Sequence, residues 1–240
     1  MTEDWGRAMA IVAHPDDLEY GAASAIARWT AAGRQVAYVI VTDGEAGIDA
    51  IPPAQAGPLR QKEQLASAAL VGVSDVSFLG HPDGVVEYGP ALRRDLARQI
   101  RRFRPDVLLT ATQELTYGLS VGQRIVNQAD HRAVGIAVLD AARDAANRWV
   151  FTDLLDEGLE PWAGVRHVYL IGSNQPTHAV DVTDTLDAGI ASLRAHHAYL
   201  QGLGREFDPE AFLRGFTAQA GQAIGVPNAV ALAQIQVQGV

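Results

Sequence analysis

Short apolar runs alternate with amphipathic segments along this chain of 240 residues, and few folds accommodate such an alternation. The second of them, over residues 35–43, is continuous and rich in β-branched residues, which is typical of a parallel strand covered on both faces. The runs are "AMAIVA" (8–13), "QVAYVIVTD" (35–43), "VSFLG" (76–80), "DVLLTA" (106–111) and "HVYLIG" (167–172). The alternation predicts an α/β protein with a doubly wound, mostly parallel sheet and helices on both faces.

Helices are predicted wherever apolar residues recur at helical spacing between these runs. The predicted helices cover residues 18–33, 58–73, 91–103, 130–146 and 183–204, the second with Pro58 in its first turn. The stretch 112–128 shows no regular pattern, and a structureless segment of that length inside a compact domain is usually functional. A short strand over 178–182 and a final edge strand from residue 229 complete a single domain over 1–240 with a C-terminal elaboration.

Composition favours a protein that acts on small molecules. Asp and Glu exceed Lys and Arg by 28 to 19, and the resulting net charge of −9 argues against nucleic acid or an anionic membrane as a partner. The absence of cysteine excludes thiolate nucleophiles and ligands, so any metal site must use His, Asp or Glu. The apolar stretch near the N-terminus is too short for the core of a signal peptide, and we expect a cytoplasmic protein.

The segment "AHPDD" (13–17) directly follows the first predicted strand. Ligands of open α/β sheets bind outside the carboxyl ends of the strands, so His14, Asp16 and Asp17 would line such a site. We expect a helix to begin after Pro15 and to stabilise both aspartates through its N-terminus. Three ionisable groups within four positions are costly to bury without a cation or solvent. A helix cap beside a core histidine is the structural alternative.

The distribution of lysine and glycine excludes three other kinds of site. The only lysine, Lys62, lies inside a predicted helix, whereas a response-regulator receiver needs a lysine at the end of a late strand. A P-loop needs Gly-Lys-Ser/Thr, but Lys62 follows Gln61. No GxGxxG follows the first strand, so the fingerprint of a dinucleotide site is absent as well.

The chain carries five motifs in order within roughly its first 140 residues: "AHPDDLE", "VTDGEAG", "LRQKE", "VGVSDVSFLGHPDG" and "ADHRAVG". In this set it resembles the LmbE-like, PIG-L-type N-acetylglucosaminyl de-N-acetylase family. The resemblance implies a Rossmann-like fold, one divalent metal ion that is usually zinc, and hydrolysis of the acetamide of an N-acetylglucosamine-type sugar. It also implies a homo-oligomer, either a trimer or a hexamer.

Position by position, the resemblance implies roles for four residues. His14, Asp17 and His131 match the metal ligands, and Asp16 matches the general base. Two histidines and one aspartate suit catalytic zinc, or another divalent metal, and leave a position for water. A carboxylate that does not bind the metal can accept the proton of that water. The two adjacent aspartates would therefore have different roles, Asp17 as a metal ligand and Asp16 as the general base.

One departure from the family concerns the residue three positions before His131. Members often have a histidine there that serves as an acid or an oxyanion donor, whereas this chain has Gln128. An amide donates a hydrogen bond to an oxyanion but cannot deliver a proton. His178 is our candidate for the missing acid, because the family often keeps a histidine in this region that enters the active site. A core or surface histidine is the alternative.

Further polar residues are candidates that have structural alternatives. Asp130 would orient a histidine of the site or cap its helix. Arg60 would hold a substrate hydroxyl or carboxylate, Glu45 would bind sugar hydroxyls, and Tyr117 would act as a lid over the metal. For Arg60 the alternative is a solvated position on a helix face. For Glu45 it is turn formation, and for Tyr117 it is packing. The remaining histidines that we interpret as structural are His81, His196 and His197.

The sequence thus favours a zinc-dependent hydrolase that removes the N-acetyl group from an N-acetylglucosamine-type sugar or conjugate. Two alternatives remain open. The same metal site would act on another amide or as a hydratase, or the protein would bind a sugar or a metal without catalysis. Metal analysis and an acetate-release assay distinguish these functions.

Overall fold

A seven-stranded sheet forms the centre of the computed structural model, which describes residues 3–120 and 123–237. In spatial order its strands are β3 (Asp75–His81), β2 (Gln35–Thr42), β1 (Arg7–Val12), β4 (Val107–Ala111), β7 (His167–Ile171), β9 (Ala229–Gln236) and β8 (His178–Asp181). The strands from β3 to β7 are parallel, whereas β9 runs antiparallel to both of its neighbours. The chain order reverses between β1 and β4, which confirms the predicted doubly wound α/β sheet.

Helices cover both faces of this sheet. They are α1 (Ala23–Ala31), α2 (Pro53–Leu70), α3 (Pro90–Phe103), α4 (Ala129–Ala146), α5 (Asp153–Asp156), α6 (Leu186–Arg194), α7 (His197–Gly202) and α8 (Pro209–Gln222). Along β1, Ala8, Ala10 and Val12 pack on the side of α1, whereas Met9 and Ile11 pack on the side of α3 and α4. Burial on both faces explains why this strand is apolar throughout. None of the helices in the described ranges has the length and apolar character that a membrane span requires.

α1 begins later than predicted, at Ala23 rather than at residue 18. The preceding residues form turns, in which the backbone N–H groups of Glu19 and Tyr20 donate to the carbonyl of Asp16. Asp16 has a φ of +88°, a left-handed conformation that a right-handed helix does not accept. The expectation that a helix N-terminus stabilises the two aspartates is therefore wrong, and side-chain contacts stabilise them instead.

Two other predicted helices and the predicted place of the last strand also differ from the structure. α2 begins at Pro53, so Pro58 lies inside the helix, and Pro52 and Pro53 set the backbone for the helix start. The helix predicted over 183–204 is two helices, because the chain turns inward at His196, which is completely buried. The C-terminal strand β9 lies between β7 and β8, so the edge strand is β8.

The stretch 112–128 contains a β-hairpin rather than a structureless loop. Its strands, β5 (Thr116–Ser120) and β6 (Gln123–Val126), pair antiparallel outside the main sheet. The backbone N–H of Asn127 donates to the carbonyl of Leu115 over 2.9 Å, at the point where the hairpin leads into α4. The hairpin therefore lies beside the first turn of α4.

Candidate active site

The carboxyl ends of β1 and β4 bring two separate segments of the chain together. Residues 14–17 follow β1, and the hairpin after β4 leads into α4, which carries His131 in its first turn. Because β1 and β4 are adjacent parallel strands, both segments lie at the same edge of the sheet. This edge is the switch point at which ligands of doubly wound folds bind.

His14, Asp17 and His131 meet at this edge with their potential ligand atoms close together. His131 Nε2 lies 2.9 Å from Asp17 Oδ1 and 3.1 Å from His14 Nδ1, and His14 Nδ1 lies 3.7 Å from Asp17 Oδ2. Both histidines are only 8% exposed. Two imidazole nitrogens and a carboxylate are the donors that a catalytic zinc ion uses, with a further position open for water.

The surroundings of His14 favour a positive charge at this point. Burial alone would lower the pKa of His14, but its hydrogen bonds with Asp130, Asp17 and Asp83 outweigh burial and raise the pKa to about 12. A divalent cation held by His14, Asp17 and His131 would supply that positive charge and displace the proton. The donor set and the electrostatics therefore both fit a metal ion.

The far nitrogen of His14 is held by two carboxylates. His14 Nε2 lies 3.0 Å from Asp83 Oδ1 and 3.2 Å from Asp130 Oδ2. Asp130 also accepts hydrogen bonds from the backbone N–H groups of Gly84 and Val86, at 2.7 and 3.1 Å. The carboxylates keep the proton on Nε2, which leaves Nδ1 free for a metal. Asp130 thus orients a histidine, and the histidine is His14 rather than its neighbour His131.

Sequence reasoning missed Asp83, although a signal for it was present. The segment "GHPDG" (80–84) echoes "AHPDD", and its aspartate is the residue that contacts His14. The histidine of the same segment, His81, points elsewhere, with Nε2 at 3.2 Å from Asp95 Oδ2. The repeated motif therefore contributes Asp83, which supports the site, and does not contribute a second histidine to the cluster.

The other imidazole of the cluster, that of His131, is oriented by a hydroxyl and an amide. Its Nδ1 lies 2.5 Å from the hydroxyl oxygen of Tyr117 and 3.1 Å from Asn127 Oδ1. Asn127 Nδ2 donates to the carbonyls of Thr112 and Glu114, at 2.8 and 2.9 Å, so its Oδ1 must face the histidine. Nδ1 of His131 therefore carries the proton and Nε2 is free for a metal. Asn127 carried no signal in the sequence.

Asp16 lies beside the cluster and has a different partner. Its Oδ2 accepts a hydrogen bond from an Arg60 Nη atom at 2.9 Å, whereas Oδ1 has no hydrogen-bond partner among the described residues. Burial raises the pKa of Asp16 to about 6, with a further contribution from Asp17, although the charge of Arg60 opposes the increase. This carboxyl can therefore exchange a proton near neutral pH.

Arg60 was expected either to hold substrate or to lie on a solvated helix face, and its burial contradicts the solvated position. It is 2% exposed, donates to the carbonyl of Pro15 as well as to Asp16, and stacks 4.1 Å from the ring centre of Tyr199. Both hydrogen bonds come from one nitrogen, Nη2, and both go to the loop that carries the aspartates. Arg60 is therefore a partner of Asp16 and is not open to direct contact with a ligand.

Glu45 and Gln128 occupy different positions relative to the cluster. Glu45 Oε1 accepts a hydrogen bond from the backbone N–H of Asp83 at 2.9 Å, so Glu45 holds the loop that contacts His14. Its other oxygen is buried without a partner in the described part of the chain. Gln128 is the residue before α4, and its exposed side chain does not cap the helix.

The structure does not bring His178 into the cluster. His178 begins β8, the edge strand, which is four positions away from β1 in the sheet. Its Nδ1 lies 2.8 Å from the hydroxyl of Thr177, and its ring packs 6.1 Å from that of Tyr169. The prediction that His178 supplies the missing acid is therefore not supported by its position in this chain.

Comparisons with known proteins identify a family and similar proteins. A family model described as PIG-L, GlcNAc-PI de-N-acetylase, matches residues 9–142. Diacetylchitobiose deacetylase of Thermococcus kodakarensis is 26% identical over 201 residues, which cover 81% of this chain and 70% of the relative. A 1D-myo-inositol 2-acetamido-2-deoxy-alpha-D-glucopyranoside deacetylase of Thermobispora bispora is 29% identical and covers 92% of each chain.

A solved structure extends the similarity over almost the whole chain. N,N'-diacetylchitobiose deacetylase of Pyrococcus horikoshii, in complex with an inhibitor, matches with a TM-score of 0.86 at 25% identity. The match covers 98% of this chain and 85% of the other. The similarity in fold therefore includes the C-terminal part that the family model does not cover.

Proposed function

The chain belongs to the PIG-L family of GlcNAc-PI de-N-acetylases, and on that premise we propose that it is a zinc-dependent hydrolase that removes the N-acetyl group from an N-acetylglucosamine-type sugar or conjugate. The observation that carries the proposal is the buried cluster of His14, Asp17 and His131 next to a second carboxylate, Asp16. The names of the relatives support the class of substrate, because both describe deacetylases of acetamido sugars.

In this proposal His14 Nδ1, a carboxylate oxygen of Asp17 and His131 Nε2 hold the metal ion. When bound, the ion supplies Lewis-acid chemistry, because it lowers the pKa of a water molecule and polarises the amide carbonyl. The protein keeps the two imidazole rings in the orientation that binding requires. The residues that do so are Asp83, Asp130, Tyr117 and Asn127.

Asp16 is the general base of the proposed reaction. Arg60 anchors its Oδ2, so Oδ1 is the atom that takes the proton from the attacking water. Burial raises the pKa of Asp16 against the charge of Arg60, so this carboxyl holds a proton more readily than an ordinary aspartate does. Because His178 lies outside the cluster, we assign the return of this proton to the leaving amine to Asp16 as well.

Two residues at the start of α4 and in the hairpin complete the proposed site. Gln128 donates its amide N–H to the oxygen that becomes negative when the water adds to the carbonyl. Tyr117, whose hydroxyl contacts His131, lines the site on the hairpin side and contacts the sugar. Arg60 and Glu45 act on the substrate only indirectly, by holding Asp16 and Asp83.

Acetate release tests this function directly. A panel of N-acetylglucosamine, diacetylchitobiose and N-acetylglucosamine conjugates is incubated with the purified protein, with and without a chelator. We expect at least one compound to release acetate, the chelator to abolish the release, and added zinc to restore it.

A His14→Ala variant provides the control for the site. It should contain no stoichiometric metal and should release no acetate. Unchanged metal content in this variant would contradict the assigned ligands. A wild-type protein that holds metal but leaves the whole panel intact would indicate that the site acts on another amide or as a hydratase.

A further inference from the structure

Asp16 adopts a backbone conformation that an aspartate keeps only when its surroundings hold it. Its φ of +88° lies in the left-handed region, where a Cβ atom crowds the backbone. The other non-glycine residues with positive φ in the described ranges, Arg104 and Phe151, lie outside the site. The proposed base therefore occupies a strained position, and neighbouring groups must stabilise it.

One face of α2 lies against this strained residue. Arg60, Gln64 and Ser67 follow one another at intervals of about one helical turn, and each is at least 98% buried. Arg60 binds the side chain of Asp16, whereas Gln64 binds its main chain, since the N–H of Asp16 donates to Gln64 Oε1 over 2.9 Å. The helix thus holds both parts of the proposed base.

The amide of Gln64 fits this position in one orientation. Its Nε2 donates to Glu19 Oε1 over 2.9 Å, and a carboxylate accepts hydrogen bonds but does not donate them. Oε1 must therefore face the N–H of Asp16. If the amide were turned over, an acceptor would meet the carboxylate of Glu19 and a donor would meet the N–H of Asp16, so Glu19 determines the orientation.

Glu19 is in turn fixed by groups from two parts of the chain. Ser67 Oγ donates to its Oε1 over 2.7 Å, and His196 Nε2 lies 3.8 Å from its Oε2. Glu19 is 1% exposed and His196 is completely buried. His196 lies outside residues 9–142, the range that the family model matches. The C-terminal segment therefore helps to hold the motif loop, which is the segment "AHPDDLE" (13–19).

We propose that Gln64 is a positioning residue for Asp16 and that Glu19 is the residue that orients Gln64. The contacts from Glu19 through Gln64 to the N–H of Asp16 keep its backbone in the left-handed region and so present Oδ1 to the reacting water. This inference rests on the proposed function, because Gln64 acts through the proposed general base.

The kinetic test compares Gln64→Met with Gln61→Met on the same helix. Gln61 makes a similar hydrogen bond from Nε2, to Asp43 Oδ1 at 2.8 Å, but does not contact Asp16. We expect Gln64→Met to lower kcat by about 10- to 100-fold, with KM and zinc content unchanged, because small misplacements of a reacting group are costly. Gln61→Met should keep the wild-type kcat. A Gln64→Met protein with wild-type kcat and normal metal content would overturn the proposal.

A second measurement on the wild-type protein keeps the test independent of folding and of activity. Nuclear magnetic resonance of the labelled protein detects coupling through a hydrogen bond, here between the amide nitrogen of Asp16 and the side-chain carbonyl carbon of Gln64. The bond from the N–H of Thr42 to the carbonyl of Ala13, also 2.9 Å long, is the internal reference. Coupling at Thr42 without coupling at Asp16 would overturn the proposed contact.

The proposed function can fail separately from this inference. If Asp16→Asn retains wild-type acetate release, Asp16 is not the base, whereas the coupling between Asp16 and Gln64 still reports on the positioning contact. If Asp16→Asn is inactive and Gln64→Met is fully active, the base assignment stands and the positioning role is wrong.

Discussion

Asp16 and Asp17 are neighbours in the chain, yet their carboxylates face different partners. Asp17 accepts from the backbone N–H of His14 and contacts His131 Nε2, each at 2.9 Å, whereas Asp16 pairs with Arg60. Burial would raise the pKa of Asp17, but the two histidines hold it well below its usual range. Burial raises the pKa of Asp16 to about 6. Asp17 thus keeps its charge for a cation, and Asp16 exchanges a proton.

Isosteric substitution should separate these two roles. Asp16→Asn removes the proton acceptor and leaves the ligands intact, so we expect wild-type zinc content and acetate release lowered by about 10²- to 10⁴-fold. Asp17→Asn replaces a ligand, so we expect it to lose the metal together with the activity. Elemental analysis and the acetate assay on both variants check this. Loss of metal from Asp16→Asn instead would exchange the two assignments.

Asn127 should influence the affinity for zinc although it does not bind the ion. Asn127→Ala leaves Nδ1 of His131 with Tyr117 alone, and loss of such an orienting partner typically weakens metal binding by about 10- to 100-fold. Competition titration with a chromophoric chelator measures the change.

The matched control for this prediction is Asn174→Ala. Asn174 Nδ2 also donates to the segment around Glu114, to the Glu114 carboxylate and to the carbonyl of Thr116, but Asn174 does not contact His131. Its removal loosens the same loop without freeing the imidazole. Equal loss of affinity in both variants would indicate that loop rigidity, and not the orientation of His131, is responsible.

How much of the site the sequence predicts depends on how local each contact is. His14, Asp16 and Asp17 lie in one loop, so their type and spacing already indicate the chemistry. Asp83 becomes a partner of His14 only when the loops after β1 and β3 meet at the sheet edge. Asn127 lies only four residues before His131, but its Oδ1 faces the imidazole because its Nδ2 donates to the carbonyls of Thr112 and Glu114. No pattern along the chain records these contacts, so sequence reasoning missed both residues.

Among the elements, the strands were more predictable than the starts of the helices. The five apolar runs correspond to β1, β2, β3, β4 and β7. In β1, β2, β4 and β7 burial on both faces leaves a continuous apolar signal, whereas the edge strand β3 is only partly buried. α1 starts late because the loop after β1 uses turns and a left-handed residue before the chain can enter a helix. The hairpin of β5 and β6 was missed because its short polar strands carry no comparable signal. Tertiary contacts therefore set the element boundaries that the local sequence pattern does not predict.

The close approach of α1 and α6 gives an element-scale prediction. A Cβ atom added to Gly189 in α6 would lie 2.0 Å from Ser24 Oγ and 2.9 Å from the Ser24 backbone nitrogen in α1. The helices would have to separate, so we expect Gly189→Ala to destabilise the protein by about 1–3 kcal/mol. Urea denaturation measures the free energy of unfolding.

Gly215 in α8 is the control, because an added Cβ would meet no heavy atom within 4 Å. Alanine is the better helix former, so Gly215→Ala should stabilise the protein by about 0.5–1 kcal/mol. If Gly189→Ala stabilised the protein as Gly215→Ala does, helix propensity would outweigh the contact between α1 and α6, and the prediction at Gly189 would be wrong.

At the scale of the whole molecule, the C-terminal segment supports the site built by the first half of the chain. Glu63 on α2 accepts a hydrogen bond from the backbone N–H of Ala198 over 2.6 Å, which ties the start of α7 to α2. Tyr199, in the same helix, stacks on Arg60. His196 lies beside Glu19 in the motif loop. The motifs of the first half therefore depend on later residues for their arrangement.

The pair of Glu19 and His196 makes folding stability depend on pH. Burial alone would lower the pKa of His196, but Glu19 and Asp16 raise it above 6.5 against the charge of Arg60. The contribution of His196 to folding stability is thus complete below pH 6.5. It is lost as pH rises through the higher pKa that His196 has in the folded protein. Burial would raise the pKa of Glu19, but His196, Ser67 and Gln64 bring it below 4.5. The contribution of Glu19 is complete above pH 4.5 and lost as pH falls through the lower folded pKa.

The stabilisation from this pair should therefore be greatest between pH 4.5 and 6.5. In that window His196→Gln leaves a buried carboxylate without its cation, and we expect a loss of about 3–5 kcal/mol in the free energy of unfolding. Above the folded pKa of His196 the wild-type histidine is neutral, so the difference between the two proteins should shrink. His197→Gln, at an exposed position, should show no such dependence. A difference for His196→Gln that stays constant with pH would mean that His196 is held by packing alone, because a neutral side chain has no charge to lose.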